Sequence, residues 1–344
     1  MIKIFIIDDS LMVRNAIYKV LKGAPDIEII GEANNPVDAF EIFKKVGLPD
    51  LFILDIEMPK MDGLSFLKQI NKQKPTPVII CSTLVTDGSN AAIDALALGA
   101  SDIILKPKLN VKDFFDEYRD ELIEKINVAV NSKVKYKSSI KAQTNMHKAS
   151  EGQKPISKRF VAIGSSTGGV QVIEEIAMNL KENHQGIVIT QHMPAGFTKS
   201  FAARLNATVA NSIVLEAKDG DVIRDGVILI APGAIHMLIK KVADKFVVEL
   251  RDFERVNSHK PSVNVLFNSV CESAGSNATG FILTGMGDDG ADGLKKMMLS
   301  GAKTYAQNEK TSTVFGMPRI ALERGAAKEA LSIFEITKMI NSLE

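Results

Sequence analysis

Short apolar runs of strand length alternate with stretches of helical periodicity twice along this chain, and the alternation lapses once between the two series. In the first, apolar runs at residues 2–7, 27–30, 51–54, 78–81 and 103–105 are separated by amphipathic stretches such as 11–22 and 37–46. Repetition of strand and helix builds a parallel sheet covered on both faces, because each parallel connection must cross back over the sheet. The pattern predicts an α/β fold of two doubly wound domains. The first is a five-stranded parallel domain over residues 1–125. The second series, at 160–163, 186–190, 212–215, 227–230, 281–284 and 304–306, predicts a mostly parallel sheet over residues 159–344. Within it, 235–240 and 245–250 are short, alternating and turn-bounded, as an edge hairpin would be. A length of 344 residues suits two cores better than one.

Between the two series, residues 131–159 hold eight Lys/Arg and a single acid, Glu151, in a background of Ser, Thr, Asn, Gln and Gly. Such a stretch cannot bury enough apolar surface to fold alone, so a flexible basic linker is expected over 126–158. A basic nucleic-acid arm would need aromatic interleaving or a recognition helix beyond it, and neither is there. The 42 basic and 41 acidic residues of the whole chain nearly cancel, which argues against nucleic acid as a partner. No apolar run reaches membrane-spanning length, and the first residues enter a strand directly. Only two cysteines occur, Cys81 and Cys271, too few for a disulfide framework or a thiolate zinc site. A cytoplasmic protein with no membrane insertion is expected.

The chemistry of the first domain gathers at its strand ends. Asp8 and Asp9 close the first strand, Asp55 the third, Ser82 the fourth and Lys106 the fifth. In a doubly wound sheet those ends meet at one rim. Carboxylates collected there repel one another unless a hard cation neutralises them, and oxygen-only ligands suit Mg²⁺. This set resembles the receiver domain of two-component response regulators. The resemblance implies that Asp55 takes a phosphoryl group from a histidine kinase. It further implies that Asp8, Asp9, Asp55 and the carbonyl of Glu57 hold Mg²⁺, and that Ser82 and Lys106 bind the phosphoryl oxygens. The bond between Lys106 and Pro107 is expected to be cis, as in that family. One departure is Ile103, three residues before the lysine, where receivers often carry an aromatic; a switch through an aromatic rotamer is then not expected.

In the second domain, three motifs follow predicted strands. Gly164-Ser165-Ser166-Thr167-Gly168 fits the G-x-S-x-G elbow centred on Ser166, at a strand-to-helix turn that lifts a serine toward free helix N–H groups. A glycine-rich turn that cradles a phosphate is the plainer alternative. Gln191-His192-Met193-Pro194 follows the second strand of the series, and Thr284-Gly285-Met286-Gly287-Asp288-Asp289-Gly290 a later one. Serine, histidine and acid delivered to one crevice are the parts of a hydrolytic triad. Serine is a weak nucleophile until an imidazole takes its proton, and the imidazole needs an acid to hold its tautomer. His236 is the only other histidine near a predicted strand end. The chain order Ser, His, acid matches neither the α/β-hydrolases nor the two familiar serine-protease folds. The glycines at 285, 287 and 290 leave backbone N–H groups exposed, as in a tight turn or an oxyanion hole.

With these motifs together, the domain resembles the catalytic domain of the chemotaxis response regulator protein-glutamate methylesterases, the CheB family, whose order of receiver, linker and esterase matches the whole chain. Further matching stretches are Met193-Pro194-Ala195-Gly196-Phe197-Thr198, Ala231-Pro232-Gly233, Ala306-Gln307-Asn308 and Phe315-Gly316-Met317-Pro318-Arg319. The resemblance implies Ser166 as nucleophile, His192 as base and then acid, Asp289 as orienting carboxylate, Thr167 flanking the nucleophile and the Met286 N–H as oxyanion donor. It needs no cofactor at the hydrolase site. Two positions depart from the family: Ser165 where alanine is usual, and Asp288 where asparagine is frequent. The implied activity is hydrolysis of glutamate methyl esters on the cytoplasmic domains of chemoreceptors, with deamidation of glutamines by the same acyl chemistry. The receiver is expected to cover the crevice until Asp55 is phosphorylated, in a monomeric protein. A non-catalytic regulator binding a nucleotide or partner at residues 164–169 is the reading from another class, and a DNA-binding regulator is weaker still.

Overall fold

The computed structural model describes residues 1–83, 86–106, 111–132 and 154–343, with backbone alone at 86–89 and 111–118. Two compact units emerge, Met1–Ile140 and Lys141–Glu344.

In the first unit, β1 (Ile2–Ile7), α1 (Leu11–Leu21), β2 (Ile27–Ala33), α2 (Pro36–Val46), β3 (Leu51–Leu54), α3 (Gly63–Gln73), β4 (Val78–Ser82), α4 (Thr86–Ala97), β5 (Asp102–Leu105) and α5 (Val111–Asn131) alternate as expected. The sheet is wholly parallel in the order β2-β1-β3-β4-β5. The helices start on side-chain caps: Ser10, Asn35 and Asp62 each accept an N–H of the first turn. β3 and β4 are buried on both faces and so read as continuous apolar runs rather than alternating ones. On one face Val13, Ile17, Val20 and Leu21 of α1 pack with Leu122, Ile126 and Ala129 of α5. That packing carries α5 past the expected boundary at 125, to Asn131. The expected cis bond at Pro107 and the linker's centre, 133–153, lie outside the described residues.

The second unit begins before its first strand. Ile156 bridges Arg224, the buried Ser157 hydroxyl bonds Asp225, and the Arg224 guanidinium donates to the Lys154 carbonyl at 2.8 Å, so residues 154–157 already belong to its packing. Then come β6 (Phe160–Ser165), α6 (Gly169–Met178), β7 (Gly186–Gln191), α7 (Phe197–Thr208), β8 (Ile213–Glu216), β9 (Val227–Ile230), β10 (His236–Val242), β11 (Lys245–Arg251), α8 (Val263–Ala274), β12 (Ala278–Ile282), α9 (Ala291–Leu299), β13 (Lys303–Gln307), α10 (Met317–Glu323), β14 (Ala330–Leu331) and α11 (Ile333–Ile340). The seven-stranded sheet is parallel throughout, in the order β14-β13-β12-β6-β7-β9-β8. The hairpin is present and forms a two-stranded sheet of its own, β10-β11, with α8 packed against it. β12 starts three residues before its apolar run. Gly280 sits mid-strand because a Cβ there would lie 2.7 Å from Leu294, so α9 packs directly on the backbone. From β6 the chain winds outward through β7 to β8 and β9, then returns to continue on the other side with β12. The topological switch point therefore lies between β6 and β12, with β7 next to it.

Candidate active site

Strand register places the first two motifs side by side. Ser165 ends β6 opposite Gln191, which ends β7, and the His192 N–H donates to the Ser165 carbonyl at 3.0 Å. The buried Gln191 amide then joins the two loops: its Nε2 donates to the Ser166 carbonyl at 2.9 Å and the His192 carbonyl at 3.0 Å. Its Oε1 accepts the Ser165 hydroxyl at 2.6 Å. Ser165 is fully buried and its hydroxyl is committed, which leaves Ser166 as the serine of the turn. The serine-centred strain of a nucleophile elbow is absent; positive φ falls on Gly168, at 79°, which caps α6 instead. A Cβ at Gly168 would also meet Thr313 at 2.5 Å.

The third motif closes on the same turn. The Ser166 N–H donates to the Thr284 carbonyl, and the Thr284 hydroxyl donates to the Thr167 carbonyl, both at 3.0 Å. Gly285 lies so close that a Cβ would sit 2.7 Å from that of Ser166, so no side chain is tolerated there. Among the described residues the Met286 N–H makes no hydrogen bond, as an oxyanion donor requires. Thr167, next to Ser166 in the turn, is buried.

Asp289 and Asp288 have separate fates. Asp289 is 1% exposed, and its Oδ2 accepts His192 Nε2 at 2.8 Å. It also caps α8: Oδ1 takes the Ser262 hydroxyl at 2.8 Å and the Asn264 N–H at 3.0 Å, and Oδ2 takes the Val263 N–H at 2.7 Å. These first-turn amides have no partner within the helix, and the positive helix end favours an anion. Burial pushes the Asp289 carboxyl upward, but the His192 bond and charge, the Asn264 amide and the Ser262 hydroxyl outweigh it and hold the acid below its ordinary range. Asp288 is half-exposed and pairs with Arg324 at 2.7 Å. His236 serves structure: fully buried, it accepts the Ser262 N–H at 3.2 Å and bonds the Glu254 carbonyl at 3.0 Å.

A carboxylate can only accept, so His192 Nε2 carries the proton of that bond and Nδ1 is left with its lone pair. Nδ1 is buried with no hydrogen-bond partner among the described residues, so the serine–histidine bond itself is not made. Such bonds often tighten only when substrate arrives. The residues that sequence patterns missed are Gln191, Ser262, the α8 amides and His259, whose ring stacks on His192 with centroids 3.7 Å apart. Ser262 carries a helix-start signature, but nothing local links that start to Asp289.

In the first unit, Asp55 ends up beside Asp8 and Asp9, with one carboxylate oxygen of each within 4.8 Å of the others. Lys106 Nζ lies 2.6 Å from Asp55 Oδ2 and 3.1 Å from Asp8 Oδ2, and among the described residues it is the only partner of those two buried oxygens. Asp55 Oδ1 accepts the Ile56 and Glu57 N–H groups at 2.7 and 3.3 Å. Burial pushes Asp55 up to about 6, against the pull of Lys106 and with the push of Asp8. Asp8 is raised by burial as well, and Lys106 rises because its two carboxylates outweigh its own desolvation. Ser82, buried at the end of β4, accepts the Lys106 N–H through its carbonyl at 2.8 Å. Ile103 is buried in β5. An all-oxygen donor set with one ammonium between two buried carboxylates suits a small hard cation.

A family model described as CheB methylesterase matches residues 161–340, and one described as Response regulator receiver domain matches residues 4–115. The chain is 47% identical over 345 residues to the protein-glutamate methylesterase/protein-glutamine glutaminase 3 of Leptospira interrogans, covering 98% of both chains. It is 43% identical over 347 residues to the protein-glutamate methylesterase/protein-glutamine glutaminase 1 of Xanthomonas oryzae pv. oryzae, covering 97% of this chain and 98% of that one. The CheB methylesterase catalytic domain of Thermotoga maritima is similar in structure, with a TM-score of 0.53 at 37% identity, over 55% of this chain and 100% of that one. With its buried His192–Asp289 pair beyond the carboxyl ends of β7 and β12, on either side of β6, and an acid-rimmed receiver sheet ahead of it, the chain belongs to the CheB methylesterase family.

Proposed function

We propose that this chain hydrolyses methyl esters of glutamate side chains on chemoreceptors, and the side-chain amides of their glutamines, under control of phosphorylation at Asp55. One observation carries the reading: the buried Asp289–His192 bond, held beside Ser166 by Gln191. Ser166 Oγ attacks the ester carbonyl carbon while His192 Nδ1 takes the hydroxyl proton. Asp289, kept ionised, stabilises the imidazolium that results. The Met286 N–H and the turn at Thr167 face the developing oxyanion. His192 returns the proton to the leaving oxygen, and methanol departs from the acyl-enzyme. Water, deprotonated by His192, then attacks the acyl carbon and regenerates Ser166 with a free glutamate. A glutamine follows the same course and releases ammonia.

At the receiver, Asp55 accepts the phosphoryl group of a histidine kinase, and Lys106 and Ser82 bind its oxygens. Asp8, Asp9, Asp55 and the Glu57 carbonyl would hold Mg²⁺, which supplies positive charge for the transferring phosphoryl group. Among the described residues no helix is long and apolar enough to cross a membrane. We place the protein in the cytoplasm as a monomer, where the kinase and the receptor tails are found.

The test is methanol release from methylated receptor membranes by the wild type, Ser166→Ala and Ser165→Ala. Turnover is expected to vanish with the Ser166 change and persist with the Ser165 change. The reverse outcome overturns the assignment. A serine-directed covalent probe located by peptide mass gives the same answer without receptor.

A further inference from the structure

His192 is held on one edge by Asp289, and a single hydrogen bond acts as a hinge: it fixes the distance but lets the ring swing about the Nε2···Oδ2 axis. Something else must set the plane of the imidazole if Nδ1 is to take the Ser166 proton. The ring of His259 lies flat on that of His192, with centroids 3.7 Å apart and planes inclined by only 9°. It is brought there by a two-residue turn between β11 and α8. Val256 and His259 exchange both backbone hydrogen bonds, at 3.1 and 3.0 Å, and Asn257 and Ser258 between them both take positive φ, 50° and 64°. Left-handed backbone at both central positions is the mirror-image turn of tight hairpins, and serine adopts it only when its surroundings hold it there.

The same turn is tied to the acid's own surroundings. The Asn257 side-chain amide donates to Asp288 at 3.3 Å, and its oxygen accepts from the Asn264 side chain at 3.0 Å. Asn264 is also the residue whose N–H holds Asp289. His259 Nδ1 bonds the Asn257 carbonyl, which fixes the His259 ring against its own turn. The edge restraint and the face restraint on His192 are therefore built on one frame at the start of α8. One ligand atom each of His192, His259 and Asp289 lies within 4.8 Å of the others, and the near-parallel ring planes are those of a stacked pair.

The geometry points to His259 as a positioning residue for ester hydrolysis, acting through the face of its ring to hold the plane of the catalytic imidazole. The inference rests on the esterase reading above. It is tested in the full-length protein with His259→Ala and His259→Phe, by steady-state hydrolysis of methylated receptor and by NMR of the His192 ring. His259→Ala is expected to lower kcat on the order of 10- to 100-fold, the cost of a misplaced catalytic group, with KM little changed. His259→Phe keeps a flat face and should recover most of kcat. The His192 Hε1 resonance, shielded by the ring lying over it, should move downfield in the Ala variant and stay upfield in the Phe variant. An unchanged kcat in His259→Ala overturns the proposal. So does a Phe variant as slow as Ala with its upfield resonance intact, since the ring nitrogens and not the face would then be at work. Failure of the esterase reading is separate: it would show as turnover surviving Ser166→Ala.

Discussion

The two sheets of this protein put their acids at the same kind of place, the carboxyl end of parallel strands at a topological switch point, and treat them in opposite ways. In the receiver, Asp8 and Asp55 are buried together against a single lysine, and burial wins: Asp55 is pushed up to about 6. In the esterase unit, Asp289 is buried just as deeply, yet its carboxyl falls below the ordinary range, because helix α8 turns its first amides and its cap hydroxyl onto it and His192 adds a further donor. Burial by itself therefore says little about an acid. What matters is the balance of fixed donors and neighbouring charge facing it. Asp55 has a second carboxylate, Asp8, adding its push to that of burial, whereas Asp289 faces four donors.

The comparison can be broken most severely at Ser166. Ser166→Ala should cost about 10⁶-fold in kcat on methylated receptor, as in serine hydrolases that lose the attacking oxygen. A residual rate near wild type would mean that the donor-rich acid serves no triad. Asp289→Asn comes next, with a loss of about 10⁴-fold, because the amide can no longer hold His192 in the tautomer that leaves Nδ1 free to accept. An Asp288→Asn variant, which removes the charge paired with Arg324 and keeps a side-chain oxygen for the Asn257 amide, should stay within a few-fold of wild type, and the ratio of the two rates is the direct measurement.

The receiver half of the comparison is read in stability. The rise of Asp55 from 3.8 to about 6 corresponds to roughly 3 kcal/mol. Protonated Asp55 is favoured in the folded state, so its contribution is complete below pH 3.8 and is lost as pH rises through about 6. In urea melts without divalent cations, wild type should lose stability relative to Asp55→Asn across that window. At pH 7, Mg²⁺ should restore it in wild type and not in the variant. A flat difference would place Asp55 among well-satisfied acids like Asp289. The smallest expected effect is at Ser165. Ser165→Ala removes the donor to the buried Gln191 oxygen and should cost about 1–3 kcal/mol of stability with kcat within about 10-fold of wild type.

Much of this was legible from local pattern. Strand-length apolar runs and helical periodicity imply two parallel sheets, and the same patterns place Asp8, Asp55, Lys106, Ser166, His192 and Asp289 at strand ends. The two-residue β14 is too short to carry a pattern, and β12 begins in Ala278-Thr279-Gly280, where packing against α9 outweighs the weak strand character of glycine. The hairpin is visible as a hairpin, but its place as a separate sheet under α8 depends on long-range packing.

The sequence by itself determined which chemical groups arrive at the sheet ends, because side-chain periodicity and turn residues act over a few positions. Between two pairs of neighbours it decided less directly: the elbow spacing favours Ser166 over Ser165, and the resemblance alone favours Asp289 over Asp288. The tertiary structure gives each pair separate partners. Gln191, 26 residues from Ser165, takes up one hydroxyl, and the start of α8, 25 residues before Asp289, takes up one carboxylate. Adjacent residues share their local sequence almost entirely, so the choice between them falls to partners that the fold brings from far along the chain.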